Sequence, residues 1–127
     1  MQNTNRILIV DDDARVRFVL DKVLVKLGGT YEIMTAKDGR DALRALKSST
    51  FDLLITDLRL PRLTGINLTD VFLQQQPEAA VIWMTAYGCY RVREQAKQRG
   101  VYRCLDKPME IDEVREAVVD AFQSVKV

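Results

Sequence analysis

The sequence predicts an α/β fold, a five-stranded parallel sheet doubly wound by helices as (βα)5. Two observations carry this. Five short apolar runs, rich in β-branched residues and bounded by turn residues, alternate with segments whose apolar residues recur at helical spacing. The runs are nearly continuous rather than alternating, which predicts strands buried on both faces, as in a parallel sheet covered by helices. Strands that alternate with helices in this way imply right-handed crossovers and helices on both faces.

The elements follow in order. Residues 6–10 (RILIV) form the first run. Val16, Val19, Leu20, Val23, Leu24 and Leu27 then keep helical spacing and stop at Gly28 and Gly29, residues that terminate helices. Residues 31–36 (YEIMTA) read as the second strand, and Asp38 is placed to cap a helix carrying Ala42, Leu43 and Leu46. Residues 53–56 (LLIT) make the third strand, followed by a stripe of Leu68, Val71 and Phe72 that ends before Pro77. Residues 80–85 (AVIWMT) make the fourth. The helix expected from Tyr90 to Gly100 has only Val92 and Ala96 as a clear apolar face, beside Arg91, Arg93, Lys97 and Arg99. It reads as a solvated face, an easily shifted helix or one that docks a partner. Residues 103–105 (RCL) close the sheet, and Ile111, Val114, Val118 and Phe122 mark the last helix.

At 127 residues the chain fits one domain, residues 1–127, with room for a substantial core. Its 19 basic and 18 acidic side chains leave a net charge of +1, so bulk charge offers no argument for a nucleic acid or an anionic membrane as partner. No apolar run approaches the ~18 residues of a membrane span, and the N-terminus lacks a signal-peptide layout. A cytoplasmic location is expected, with Cys89 and Cys104 as free thiols. The absence of histidine excludes Ser-His and Cys-His catalytic pairs and any His-ligated metal within the chain. Chemistry must run on carboxylates, hydroxyls, lysine and an ion they hold.

Sites in open α/β sheets form outside the carboxyl ends of the strands. There the sequence places Asp11, Asp12 and Asp13 after the first strand, Asp57 after the third, Thr85 and Ala86 after the fourth, and Lys107 with Pro108 after the fifth. Each alone has an ordinary explanation; Asp13, for instance, suits a helix cap. Together they bring several carboxylates to one edge, where mutual repulsion calls for a cation. Oxygen-only ligands favour a hard ion, with Mg²⁺ the natural candidate, and Lys107 adds a second positive charge.

The motifs ILIVDDD, LLITDLRLPRLTG, MTAYG and LDKP, in this order and spacing, resemble the receiver domain of two-component response regulators. The resemblance spans essentially the whole chain, includes TAKDGRDAL, and implies a flavodoxin/CheY-like fold. It implies that Asp57 is the phosphoacceptor for a phosphoryl group from a histidine of a sensor kinase or phosphotransfer protein. Asp11 and Asp12, with Asp57 and the backbone carbonyl of Arg59, match the Mg²⁺ ligands. Thr85 matches the switch hydroxyl, with Ala86 beside it at the phosphoryl group. Lys107 matches the lysine that pairs with the aspartate and then the phosphoryl group, and Lys107–Pro108 stands where the family often has a cis peptide. Phosphorylation would then change the surface around residues 87–125, toward a partner, an output domain or a second copy.

Three positions set this chain apart. Cys104 occupies the place where the family commonly carries Tyr or Phe, and Tyr102 lies two residues earlier. Either Cys104 fills a small space and the aromatic half of the switch is missing, or Tyr102 or Tyr87 stands in for it; we favour the first. A redox-sensing role for Cys104 is the weaker reading. By resemblance, Arg59 and Tyr87 tune how readily water attacks the acyl phosphate, and their bulk predicts a comparatively long-lived phosphoryl state. Two rivals remain on sequence grounds. DDDAR superficially offers the D-x-D of an aspartate-nucleophile phosphatase, though Arg15 breaks its pattern and 127 residues leave no room for a cap insertion. The other is a receiver that never takes phosphate and serves as an interaction module. The wording TDLRLP and MTAYG, frequent in receivers of transcriptional regulators, tilts toward a receiver excised from a longer chain.

Overall fold

The computed structural model describes residues 5–27, 31–86, 88 and 90–125. Ten elements alternate along the chain: β1 (Asn5–Val10), α1 (Ala14–Val25), β2 (Tyr31–Ala36), α2 (Gly39–Ser48), β3 (Leu53–Asp57), α3 (Gly65–Gln75), β4 (Ala80–Thr85), α4 (Tyr90–Arg99), β5 (Arg103–Asp106) and α5 (Ile111–Val125). The five strands form one sheet in the order β2-β1-β3-β4-β5, and every pairing is parallel.

Period-two alternation divides the core between the two faces of this sheet. Ile7, Ile9, Ile55, Ile82 and Met84 pack with Leu20 and Leu24 of α1 and Val118 and Phe122 of α5. The intervening residues Leu8, Val10, Leu54, Val81 and Trp83 pack with Ala42 and Leu46 of α2, Leu68 and Phe72 of α3, and Ala96 of α4. β3 and β4 are buried at every position, as expected for strands covered on both sides.

β2 and β5 depart from that expectation. Both lie at sheet edges, and only Ala36 and Leu105 respectively are buried in them. An edge strand has a partner on one side only, so neighbouring helices cannot cover it as they cover a central strand. Strand order, which no local pattern encodes, decides which runs are central.

The helix starts follow the side chains that cap them. Asp13 accepts the backbone N–H of Arg15 at 2.9 Å, and Asp38 accepts that of Asp41 at 2.8 Å. Thr64 does the same for Asn67 in α3, at 3.2 Å. The Gly28–Gly29 stop assigned to α1 lies outside the described residues; the helix itself ends at Val25. In α4 the only buried residue described is Ala96. Two ion pairs supplement it, Arg99 to Asp70 of α3 at 2.7 Å and Arg93 to Asp106 of β5 at 3.5 Å.

Candidate functional site

The sheet delivers four chain ends to one edge. Asp11 follows β1, Asp57 and Thr85 are the last residues of β3 and β4, and Lys107 follows β5. The Lys107 ammonium donates to Asp11 Oδ2 at 2.7 Å and to Asp57 Oδ2 at 3.1 Å, joining residues 96 and 50 positions away in sequence. Its own backbone is fixed beside Thr85, because Lys107 N–H donates to the Thr85 carbonyl at 2.8 Å. The Lys107–Pro108 peptide is cis.

The carboxylates differ in setting. Asp11 is fully buried; its second oxygen accepts the Asp13 N–H at 2.9 Å, and its carbonyl accepts the Arg17 guanidinium at 2.7 Å. Burial pushes the Asp11 carboxyl above the ordinary range, and the Lys107 bond only partly offsets this. Asp57 is buried, and its free oxygen accepts the Arg59 N–H at 3.3 Å. Asp12 is exposed. Burial works against the Lys107 ammonium, but its bonds to Asp11 and Asp57 outweigh that and raise its pKa.

One carboxylate oxygen from each of Asp11, Asp12 and Asp57 lies within 4.8 Å of the others. This donor set is all oxygen, and among the described residues no softer ligand joins it. Three acids held this close, one of them fully buried, fit a hard divalent cation better than they fit one another.

Thr85 is buried at the same edge, and Ala86 beside it is exposed. Arg59 is exposed on the loop after Asp57. Tyr87 and Cys89 lie outside the described residues. Cys104 is half-buried against the α2–α3–α4 layer, where it pairs in register with Trp83. Burial, then the charge of Asp106, raises the Cys104 thiol pKa, which disfavours a reactive thiolate. Tyr102 precedes β5 and is 40% exposed.

Some contributors were not marked by the sequence. Arg17 on α1 reaches back six residues to the Asp11 carbonyl. Gly65 lies so near the end of β3 that a Cβ there would stand 2.2 Å from the Asp57 carbonyl oxygen. A groove of about 660 Å³ opens beside the site between α1 and α5, lined by Val16, Val19, Ala86, Pro108, Met109 and Ile111 among others.

Comparisons with known proteins identify the family. The family described as response regulator receiver domain matches residues 7–119. The chain belongs to that family. The receiver is 38% identical over 105 residues to the DNA-binding transcriptional regulator NtrC of Escherichia coli, covering 83% of this chain and 22% of the relative. It is 32% identical to the Thermotoga maritima response regulator TrrA, solved in complex with Mg²⁺-BeF, with a TM-score of 0.79 and coverage of 92% and 98%. A CheY-like receiver from Methanospirillum hungatei shares the fold at a TM-score of 0.90, with 23% identity and 98% coverage of both chains. The receiver thus spans about a quarter of the length of the curated relatives it matches. No helix among its described residues is long and apolar enough to cross a membrane.

Proposed function

We propose that this receiver, as one domain over residues 1–127, takes a phosphoryl group onto Asp57 from a phosphohistidine of a sensor kinase or phosphotransfer protein. The observation that carries the reading is the Lys107 ammonium bridging Asp11 and Asp57 at the strand ends. An Asp57 oxygen attacks phosphorus, the P–N bond breaks, and its electron pair leaves with the donor imidazole, which takes up a proton. Little covalent help is needed, so positioning and charge neutralisation do most of the work. Asp11, Asp12, Asp57 and the Arg59 carbonyl would hold Mg²⁺, which when bound neutralises the phosphoryl oxygens. Lys107 adds a fixed positive charge, and Thr85 with the backbone at Ala86 orients the group.

The apolar groove between α1 and α5 borders Lys107 and Ala86, and suits the helix of a donor protein. The signal would leave through α4, β5 and α5, to an output domain, an effector or a second copy of the receiver. Its chemistry is limited to its own phosphorylation and dephosphorylation. The near-neutral net charge supports protein partners over direct contact with nucleic acid or membrane, in a cytoplasmic setting.

Acetyl phosphate and Mg²⁺ should label the native receiver, and Asp57→Asn should abolish the label. Labelling that persists in Asp57→Asn would remove Asp57 from its role. Arg59 and Tyr87 should prolong the phosphoryl state, so Arg59→Ala with Tyr87→Ala should release phosphate faster. Slower release from that variant than from the native receiver would refute the tuning role.

A further inference from the structure

Two buried polar residues in the second core layer are not explained by phosphoryl chemistry. Thr69 on α3 and Trp83 on β4 are both fully buried. The Trp83 indole N–H donates to Thr69 Oγ1 at 2.8 Å, and the Thr69 hydroxyl donates to the Gly65 carbonyl at 2.8 Å. Every proton in this pair has a partner. An apolar pair would fill the same layer without the desolvation of a hydroxyl and an indole N–H.

What the pair gains is a fixed position for the first turn of α3. Gly65 N–H donates to the Leu58 carbonyl at 3.0 Å, and a Cβ added to Gly65 would meet the Asp57 carbonyl oxygen at 2.2 Å. The Thr56 hydroxyl holds that same Asp57 carbonyl at 2.8 Å. One connected path therefore runs from Trp83 through Thr69 and Gly65 to the backbone of Asp57 and Leu58, next to Arg59. Trp83 stands two residues before Thr85 on a single strand. The two strand ends that would meet the phosphoryl group are tied to each other through α3 as well as through the sheet.

We propose that Thr69 is a positioning residue, set by Trp83, for the Asp57–Arg59 backbone and hence for the Mg²⁺ this backbone would help to hold. The inference rests on the phosphoacceptor reading above. Residues that orient metal ligands affect metal affinity by about 10- to 100-fold when removed.

The test is a Mg²⁺ titration of the ¹⁵N-labelled receiver followed by NMR, in which the single tryptophan gives one indole N–H resonance. In the native protein Mg²⁺ should shift the amides of Asp11 and Asp12 and also the Trp83 indole resonance. Thr69→Val, which replaces the hydroxyl with a methyl group of similar size, should bind Mg²⁺ about tenfold more weakly, and Thr69→Ser should restore affinity to within about twofold. A merely structural role would lower the melting temperature without changing the Mg²⁺ affinity of the folded protein. Should Thr69→Val fail to fold, Trp83→Phe removes the indole donor and should weaken Mg²⁺ binding in the same direction. Native Mg²⁺ affinity in whichever of the two folds would overturn the inference while leaving Asp57 in its role. No Mg²⁺-induced shift at Asp11 or Asp12 in the native protein would overturn both.

Discussion

Substituting alanine for Gly65 tests whether the loop after Asp57 is held rigidly against α3. An alanine Cβ would stand 2.2 Å from the Asp57 carbonyl oxygen and 2.8 Å from Leu58 Cα. The first of these falls about 1.2 Å short of the 3.4 Å at which ordinary contact begins, and both neighbours are backbone atoms. They cannot rotate away, so either α3 or the end of β3 must shift by about 1 Å. Overpacking of this kind costs about 1–3 kcal/mol, and alanine returns up to ~1 kcal/mol of helix propensity. The net loss of stability should be only about 1 kcal/mol, a fall of a few degrees in melting temperature. The functional loss should be larger, because misplacing a reacting group by about 1 Å can lower a rate ~100-fold. The assay is acetyl phosphate labelling in saturating Mg²⁺, with melting followed in parallel. Gly39→Ala is the control: its Cβ would meet the Leu63 side chain at 2.3 Å rather than Asp57. It should lose comparable stability and keep labelling within a few-fold. Native-rate labelling by Gly65→Ala, at an equal or higher melting temperature, would refute a rigid contact.

Lys107→Met leaves Asp11 and Asp57 facing each other without their shared ammonium. Breaking a buried pair costs about 3–5 kcal/mol, and the 21% exposure of the Lys107 side chain places this case at the low end. Added Mg²⁺ should recover more melting temperature in the variant than in the native protein; equal stability without Mg²⁺ would count against the bridge. Asp38 gives a pH prediction. The Asp41 N–H donated to its carboxylate, aided by nearby Lys37 and Arg62, holds it below the usual range, so the folded state binds fewer protons than the unfolded state. Its contribution is present above about pH 4 and is lost as pH falls through the folded pKa. Amide protection in α2 should fall with acid in the native protein and stay flatter in Asp38→Asn; identical profiles would remove the cap's role. The Arg99–Asp70 pair is bidentate, so a double-mutant cycle should give a coupling of ~0.5–1 kcal/mol. Arg99→Ala should also speed amide exchange in α4, and unchanged exchange would mean that the pair does not hold that helix.

How much of this was legible in the sequence depends on what kind of contact each residue makes. Asp11, Asp57, Thr85 and Lys107 could be placed together because a parallel sheet brings all its strand ends to one edge, whatever the details of packing. Asp13 and Asp38 could be placed because capping is local, spanning two or three residues. The Trp83–Thr69 bond joins positions 14 apart on two elements, and depends on how α3 settles on β4. No periodicity reports that. The closeness of Gly65 to Asp57 is likewise a property of the helix docking onto the strand end. β2 reads like its neighbours in sequence and differs only because the order β2-β1-β3-β4-β5 leaves it at an edge.

The same distinction bears on Cys104. From sequence it is the loss of an aromatic; in the fold it is the small member of a neighbouring pair whose large member is Trp83. Both side chains pack in the layer covered by α2, α3 and α4. The replacement is not equivalent in behaviour. An indole that is fully buried and hydrogen-bonded to Thr69 is a fixed strut, and turning it would break that bond and open a cavity. Cys104 carries no ring, and the Trp83 ring is held by its bond to Thr69. What remains loosely held next to the site is α4, with Ala96 as its one buried described residue and two partly exposed ion pairs to α3 and β5. Pairs of that kind are worth about 1 kcal/mol or less each, within reach of the few kcal/mol by which a ligand shifts a two-state equilibrium. If the receiver switches as proposed, a cysteine at 104 leaves this helix, rather than a ring on β5, as the element to shift.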